Sequence, residues 1–161
     1  MSIKVGDSLP QVTVQIMGAE GPESVSTSDL FSDSKVVLFA VPGAFTPTCS
    51  AAHLPGFVAQ SDKILESGVD LIACISVNDV FVMDAWAKQG NAGGIKMIAD
   101  GMGVFADAVG MTVDFSERGM GIRSDRYAMI IDKGKVTWLA REKPKTLEVS
   151  TAEAVLQALA G

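Results

Sequence analysis

Apolar and polar positions change period several times along the chain, and each period predicts an element. Val12, Val14 and Ile16 alternate with Thr13 and Gln15, the two-residue period of a strand with one buried face. Breakers at 18–22 mark a turn, and 24–26 return as a short antiparallel partner. Ser28 to Phe31 makes one helical turn. Positions 36–41 are apolar without a break, which predicts a central strand covered on both faces, and 71–77 predict a second. Between them Leu54, Phe57, Val58, Ile64 and Leu65 line one side of a helix that runs to about Ser67, with Gly68 as its stop. Pro55 lies inside that helix and removes the bond to the Ala51 carbonyl, so a kink or bulge is expected.

Further along, Asn78 or Asp79 caps a helix from 80 to about 88 with Phe81, Ala85 and Trp86 inward. A short strand at 96–99 and a short helix at 103–109, closed by Gly110, follow. Positions 111–124 are less regular. Two apolar runs flank Lys133-Gly134, a hairpin signal. Ser150 with Glu153 forms a capping-box pattern that opens a last helix with Val155, Leu156 and Leu159 apolar. Positions 1–9 form a lead-in. Strand–helix alternation implies a mainly parallel central sheet, to which the terminal hairpin adds antiparallel strands.

Composition narrows the partners. A chain of 161 residues, 48% hydrophobic and 20% charged, reads as one globular α/β domain spanning 1–161. A net charge of −6 argues against nucleic acid or an anionic membrane surface as partner. No run reaches the roughly 18 apolar residues of a membrane span. The N-terminus carries no basic-then-apolar signal, so a cytoplasmic location is expected. Two cysteines do not make a disulfide scaffold and fit a reducing compartment. One histidine and two cysteines make a metal site unexpected, and no cofactor motif is present.

The chemistry gathers at Pro42-Gly43-Ala44-Phe45-Thr46-Pro47-Thr48-Cys49, where the first central strand gives way to the long helix. Helix N-termini have free N–H groups and a positive dipole end, which stabilise a thiolate relative to a thiol. Thr46 is placed to accept from a free N–H as N-cap, and Pro47 sits where its missing N–H costs nothing. Cys49 then falls in the first turn. A cysteine at the start of the first helix, under a mixed sheet that ends in hairpin and helix, points to a thioredoxin-like fold with an N-terminal extension.

Residues 41–57, VPGAFTPTCSAAHLPGF, resemble the active-site segment of peroxiredoxins, in particular the type II or peroxiredoxin-5-like branch. Residues 74–86 and 121–132 resemble two further segments of that branch. The resemblance implies a thiol-dependent peroxidase for hydrogen peroxide and organic hydroperoxides, with Cys49 as the peroxidatic cysteine that passes through a sulfenic acid. It implies that Thr46 gives its hydroxyl to the substrate, that the N–H groups of Thr48 and Cys49 face the same point, and that Pro42 closes one side. Of Arg118, Arg123, Arg126 and Arg141, Arg126 matches the family's active-site arginine, whereas Arg123 reads as a surface residue. His53, one helical turn after Cys49, is either a proton carrier or a supporting residue that bonds the carbonyl freed by Pro55 or lies at a subunit contact. Cys74 is either an inert buried thiol or a resolving cysteine. The expected turnover uses one cysteine, with glutathione and glutaredoxin, or thioredoxin, as reductant. The resemblance also implies a homodimer, for which Phe45 and Phe81 are the nominated interface aromatics, core packing being their other use.

Three rivals share this chain. A thioredoxin-type oxidoreductase wants a second cysteine three positions after Cys49, where Ala52 stands. A cysteine hydrolase using Cys49 and His53 lacks an orienting acid and the opposed geometry of such sites. A redox-sensing or thiol–disulfide exchange module on the same fold differs in reactivity and not in pattern.

Overall fold

A computed structural model of the chain describes residues 2–161; Met1, which opens the lead-in, lies outside them. Two strands, β1 (Thr13–Gly18) and β2 (Gly21–Ser26), form a hairpin at one edge, and a short helix α1 (Thr27–Phe31) follows. Strand β3 (Lys35–Ala40) leads through a loop to a π-turn over Cys49–His53, which runs directly into α2 (Leu54–Glu66). The chain continues through β4 (Leu71–Ser76), α3 (Val80–Gln89), β5 (Lys96–Ala99) and α4 (Val104–Ala108). A small hairpin of β6 (Thr112–Phe115) and β7 (Gly121–Ser124) precedes β8 (Tyr127–Asp132), β9 (Lys135–Arg141) and α5 (Ala152–Ala160).

The seven-stranded sheet has the order β2-β1-β5-β4-β3-β8-β9. Only β3, β4 and β5 run parallel; β1 against β2 and β5, and β8 against β3 and β9, are antiparallel. The expected mainly parallel sheet is therefore corrected to a mixed, mostly antiparallel one. The first strand enters beside β5 and not as part of a crossover unit, so helix alternation does not govern it. Period-two geometry divides the core. Val37, Phe39 and Val41 face the layer of α2, α3 and α5, while Val36, Leu38 and Ala40 face α1 and α4.

Several local expectations change. Along α3 the buried residues are Val80, Met83 and Trp86, and Phe81 and Ala85 are exposed. Steps of three residues hold one face, and Phe81 lies about 100° away from it. Asp79, not Asn78, caps this helix by accepting from the Val82 N–H. Leu65 is exposed while Leu54, Phe57 and Ile64 carry the buried stripe of α2. Thr151, not Ser150, caps α5. Positions 111–124, read as irregular, form the β6–β7 hairpin. The bulge expected from Pro55 is present: the Leu54 N–H reaches back five residues to the Cys49 carbonyl.

Candidate active site

The site is built where β3 ends. Gly43 lets the loop fold tightly: a Cβ there would lie 3.1 Å from Thr46 Cγ2 and 3.3 Å from Met120 Cε. The Ala44 N–H donates to Asn78 Oδ1 at 2.9 Å, and the Ser76 hydroxyl donates to the same oxygen at 2.6 Å. Phe45 takes a left-handed φ of 65° and is exposed. The helical backbone starts at Pro47, and its first bond runs from the Ser50 N–H to the Thr46 carbonyl. Thr46 thus occupies the N-cap place through its backbone. Its hydroxyl, expected to accept, instead donates to the Gly43 carbonyl at 2.6 Å. The N–H groups of Thr48 and Cys49 precede that first bond and are among the free donors of the turn. Trp86 Nε1 donates to Ser50 Oγ at 3.0 Å and ties α3 to this turn.

Arg126, one residue before β8, joins two side chains. One terminal nitrogen donates to Cys49 Sγ at 3.1 Å, and the other to His53 Nδ1 at 2.8 Å. A guanidinium only donates, so Nδ1 is the bare acceptor and Nε2 carries the hydrogen, which goes to the Ser150 carbonyl at 2.9 Å. His53 therefore bonds Ser150, not the carbonyl freed by Pro55. Its ring is buried against Phe39 and Phe57, with centroids 5.1 and 5.6 Å away. Burial and the neighbouring Arg126 charge lower its pKa from 6.5 to about 4, against the raising effects of the Ser150 bond and the Glu142 charge. A neutral ring is what Arg126 needs, since a doubly protonated one has no lone pair to offer.

Glu142 anchors the other end of this chain of bonds. Its backbone N–H donates to the Arg126 carbonyl at 2.9 Å. One carboxylate oxygen accepts from the N–H groups of Glu148, Val149 and Ser150 and from the Ser150 hydroxyl, the last two at 2.7 Å. The other accepts from Thr146 Oγ1 at 2.9 Å. Burial alone would raise its pKa, but these bonds outweigh it and the carboxyl is held below its ordinary value. The loop after β9 is thus wrapped around one carboxylate, and Ser150 is committed to that bond and not to a capping box.

A cavity of about 400 Å³ is lined among others by Pro42, Thr46, Thr48, Arg126 and Glu142, while Cys49 is fully buried behind the residues that line it. A larger groove of about 690 Å³ runs along α3 and β5 and is not lined by Arg126. Cys74 is fully buried in β4 beside Phe39 of β3. Burial and the nearby Cys49 charge push its thiol up, against the lowering effect of Arg126. Both cysteines are free. Arg123, read as a surface residue, is half-buried and donates to the carbonyls of Met120 and Val77, each at 2.9 Å. Phe81 is exposed at the start of α3. Among the described residues, no three His, Cys, Asp or Glu cluster as metal ligands, and no helix is long and apolar enough to cross a membrane.

The model of the Redoxin family matches residues 4–156. Peroxiredoxin-2C of Oryza sativa subsp. japonica is 45% identical over 159 residues, covering 98% of each chain. The chain belongs to the Redoxin family, on its peroxiredoxin branch. It is a thiol-dependent peroxidase with a thioredoxin-like fold. The structure of reduced Prx3 in complex with hydrogen peroxide from Vibrio vulnificus is 52% identical, with a TM-score of 0.95 over 98% of this chain and 99% of that one. Peroxiredoxin 5 from Alvinella pompejana is 38% identical, with a TM-score of 0.86 over 98% of each.

In this peroxiredoxin, Pro42, Thr46, Thr48 and Arg126 line one cavity, and Arg126 bonds both Cys49 and His53. Cys74 packs in the same core layer as Cys49 but in the sheet, while Phe45 and Phe81 lie outside the cluster. Glu142, Ser150 and Asn78 were missed as members of the framework. Ser150 had a local signal that pointed elsewhere, and Glu142 stands more than ninety residues from Cys49 with no pattern around it.

Proposed function

We propose that Cys49 is the peroxidatic residue and Arg126 the group that activates it. The observation that carries this reading is the two-handed contact of Arg126, on Cys49 Sγ at 3.1 Å and on His53 at 2.8 Å. The guanidinium stands against the sulfur where the reaction develops charge, and, already locked, it loses little freedom when substrate arrives. The thiolate bonds to the terminal oxygen of the hydroperoxide and the O–O bond breaks. Cys49 becomes a sulfenic acid, and the other oxygen leaves as alkoxide or hydroxide and takes the proton released when the thiol ionised. The Thr48 and Cys49 N–H groups and Arg126 stabilise the developing charge. Thr46 already spends its hydrogen on Gly43, so its lone pairs accept the hydroperoxide O–H instead of donating to it. Pro42, in the wall of the cavity, keeps water off the sulfur.

An external thiol then returns the enzyme. It condenses with the sulfenic acid, releasing water and leaving a mixed disulfide, and a second thiol reduces that disulfide. The buried, high-pKa thiol of Cys74 supports this one-cysteine route with glutathione and glutaredoxin, or thioredoxin, as donor. Intact mass after one equivalent of peroxide without reductant tests it. Gain of oxygen at Cys49 is expected; loss of two hydrogens, absent from Cys74→Ser, would overturn it. The exposed rings of Phe45 and Phe81 support a homodimer through this face, tested by sedimentation of the wild type against Phe45→Ser and Phe81→Ser. Two free cysteines support a reducing compartment such as the cytoplasm.

A further inference from the structure

We propose that the cavity lined by Arg126 and Thr46 selects hydroperoxides that carry a carboxylate at the far end of an apolar body; this rests on the peroxidase reading of the same site. Hydrogen peroxide is little larger than water, whose share of volume is about 30 Å³. A cavity of about 400 Å³ is an order of magnitude beyond what it needs. The walls are apolar: Pro42, Val113, Phe115, Met120 and Pro144 line them. Such walls favour an alkyl or aryl chain over water.

Charge at the rim has one sign. Arg118, Lys143 and Lys145 line the cavity and are exposed, and none has an ion-pair partner among the described residues. Arg118 lies over the Phe115 ring at 4.6 Å, which holds its guanidinium at the edge of the apolar wall. Two carboxylates also line the cavity, and both are engaged. Asp125 pairs with Arg141, and Glu142 is turned inward to Thr146 and the N–H groups of 148–150. The cations therefore stand against the net charge of −6 carried by the whole chain. They draw an anionic substrate that the rest of the surface repels, with its hydroperoxide end toward Arg126 and Thr46 and its carboxylate at the rim.

The probe is linoleic acid hydroperoxide against its methyl ester, both below their micelle concentrations, with hydrogen peroxide as reference. Second-order rates of Cys49 oxidation are read at low and at high salt. The free acid is expected to react about tenfold faster than the ester at low salt, with the advantage shrinking as salt screens the rim. Lys143→Glu with Lys145→Glu is expected to bring the acid-to-ester ratio to one or below. The ratio is unaffected by a general loss of folding or of reactivity, because both substrates share it. An acid-to-ester ratio near one in the wild type, or one unchanged by the double substitution, would overturn the proposal. Failure to react with hydrogen peroxide as well would instead overturn the peroxidase reading beneath it.

Discussion

Acid is expected to act on this protein first through His53. In the folded chain the ring is neutral, with its pKa lowered from 6.5 to about 4 by burial and by Arg126. Above pH 6.5 the folded and unfolded chains hold the same number of protons on this residue. Between pH 6.5 and about 4 the unfolded chain binds one and the folded chain does not, so stability falls as pH falls through that window. Each unit of displacement is worth about 1.36 kcal/mol, so the full loss is about 3 kcal/mol. Below that range Nδ1 gains a hydrogen and Arg126 loses its acceptor, which frees the guanidinium from its hold on Cys49. The chain has a single histidine, so one NMR resonance reports the titration without assignment. Urea unfolding of the wild type and His53→Gln, at neutral pH and near the acid end of the window, gives the energy by difference and cancels the carboxylates. A native histidine that titrates near 6.5, or two proteins that lose stability in parallel, would refute the reasoning.

Other expectations follow from the same contacts. Glu142→Gln keeps the shape but removes the charge that raises the His53 pKa, so the histidine is expected to titrate lower still, read on the same NMR resonance. Asn78→Ala leaves the Ala44 N–H and the Ser76 hydroxyl without their acceptor, and is expected to cost about 2 kcal/mol by urea unfolding and to slow peroxide reduction by loosening the loop. Phe57→Ala removes the ring stacked on Phe39 at 4.0 Å and packed against His53, at a cost of about 3–5 kcal/mol, with a rise in the His53 pKa as water enters.

Much of the fold was legible because its signals are local. The unbroken apolar run before the loop pointed to a doubly covered strand, and Pro55 pointed to a kink or bulge, which takes the form of the π-turn that carries Cys49. The antiparallel majority was not legible, because β1 joins β5 across a long stretch of chain and nothing in its alternation names that partner. Phe81 misled because aromatic residues look like core, while helix phase gives the face to Val80, Met83 and Trp86. At the site, Cys49, Thr46 and Arg126 rested on loop chemistry and the family resemblance. The framework behind Arg126 was hidden for a physical reason. His53 depends on a backbone carbonyl, that of Ser150, and Glu142 on three backbone N–H groups. Backbone partners leave no mark in residue type.

The central claim is that Arg126 makes the Cys49 sulfur reactive. Trp86, bonded to Ser50 beside Cys49, is a built-in fluorescence reporter of that turn. Stopped-flow mixing of the reduced protein with hydrogen peroxide therefore tests the claim most directly. The wild type is expected to be oxidised orders of magnitude faster than free cysteine. Arg126→Lys is expected to be slower by about 100-fold or more, because an ammonium lacks the rigid two-nitrogen fork that meets His53 and the sulfur together. Cys49→Ser is expected to give no signal change. A wild type no faster than free cysteine, or an Arg126→Lys protein as fast as the wild type, would contradict the account.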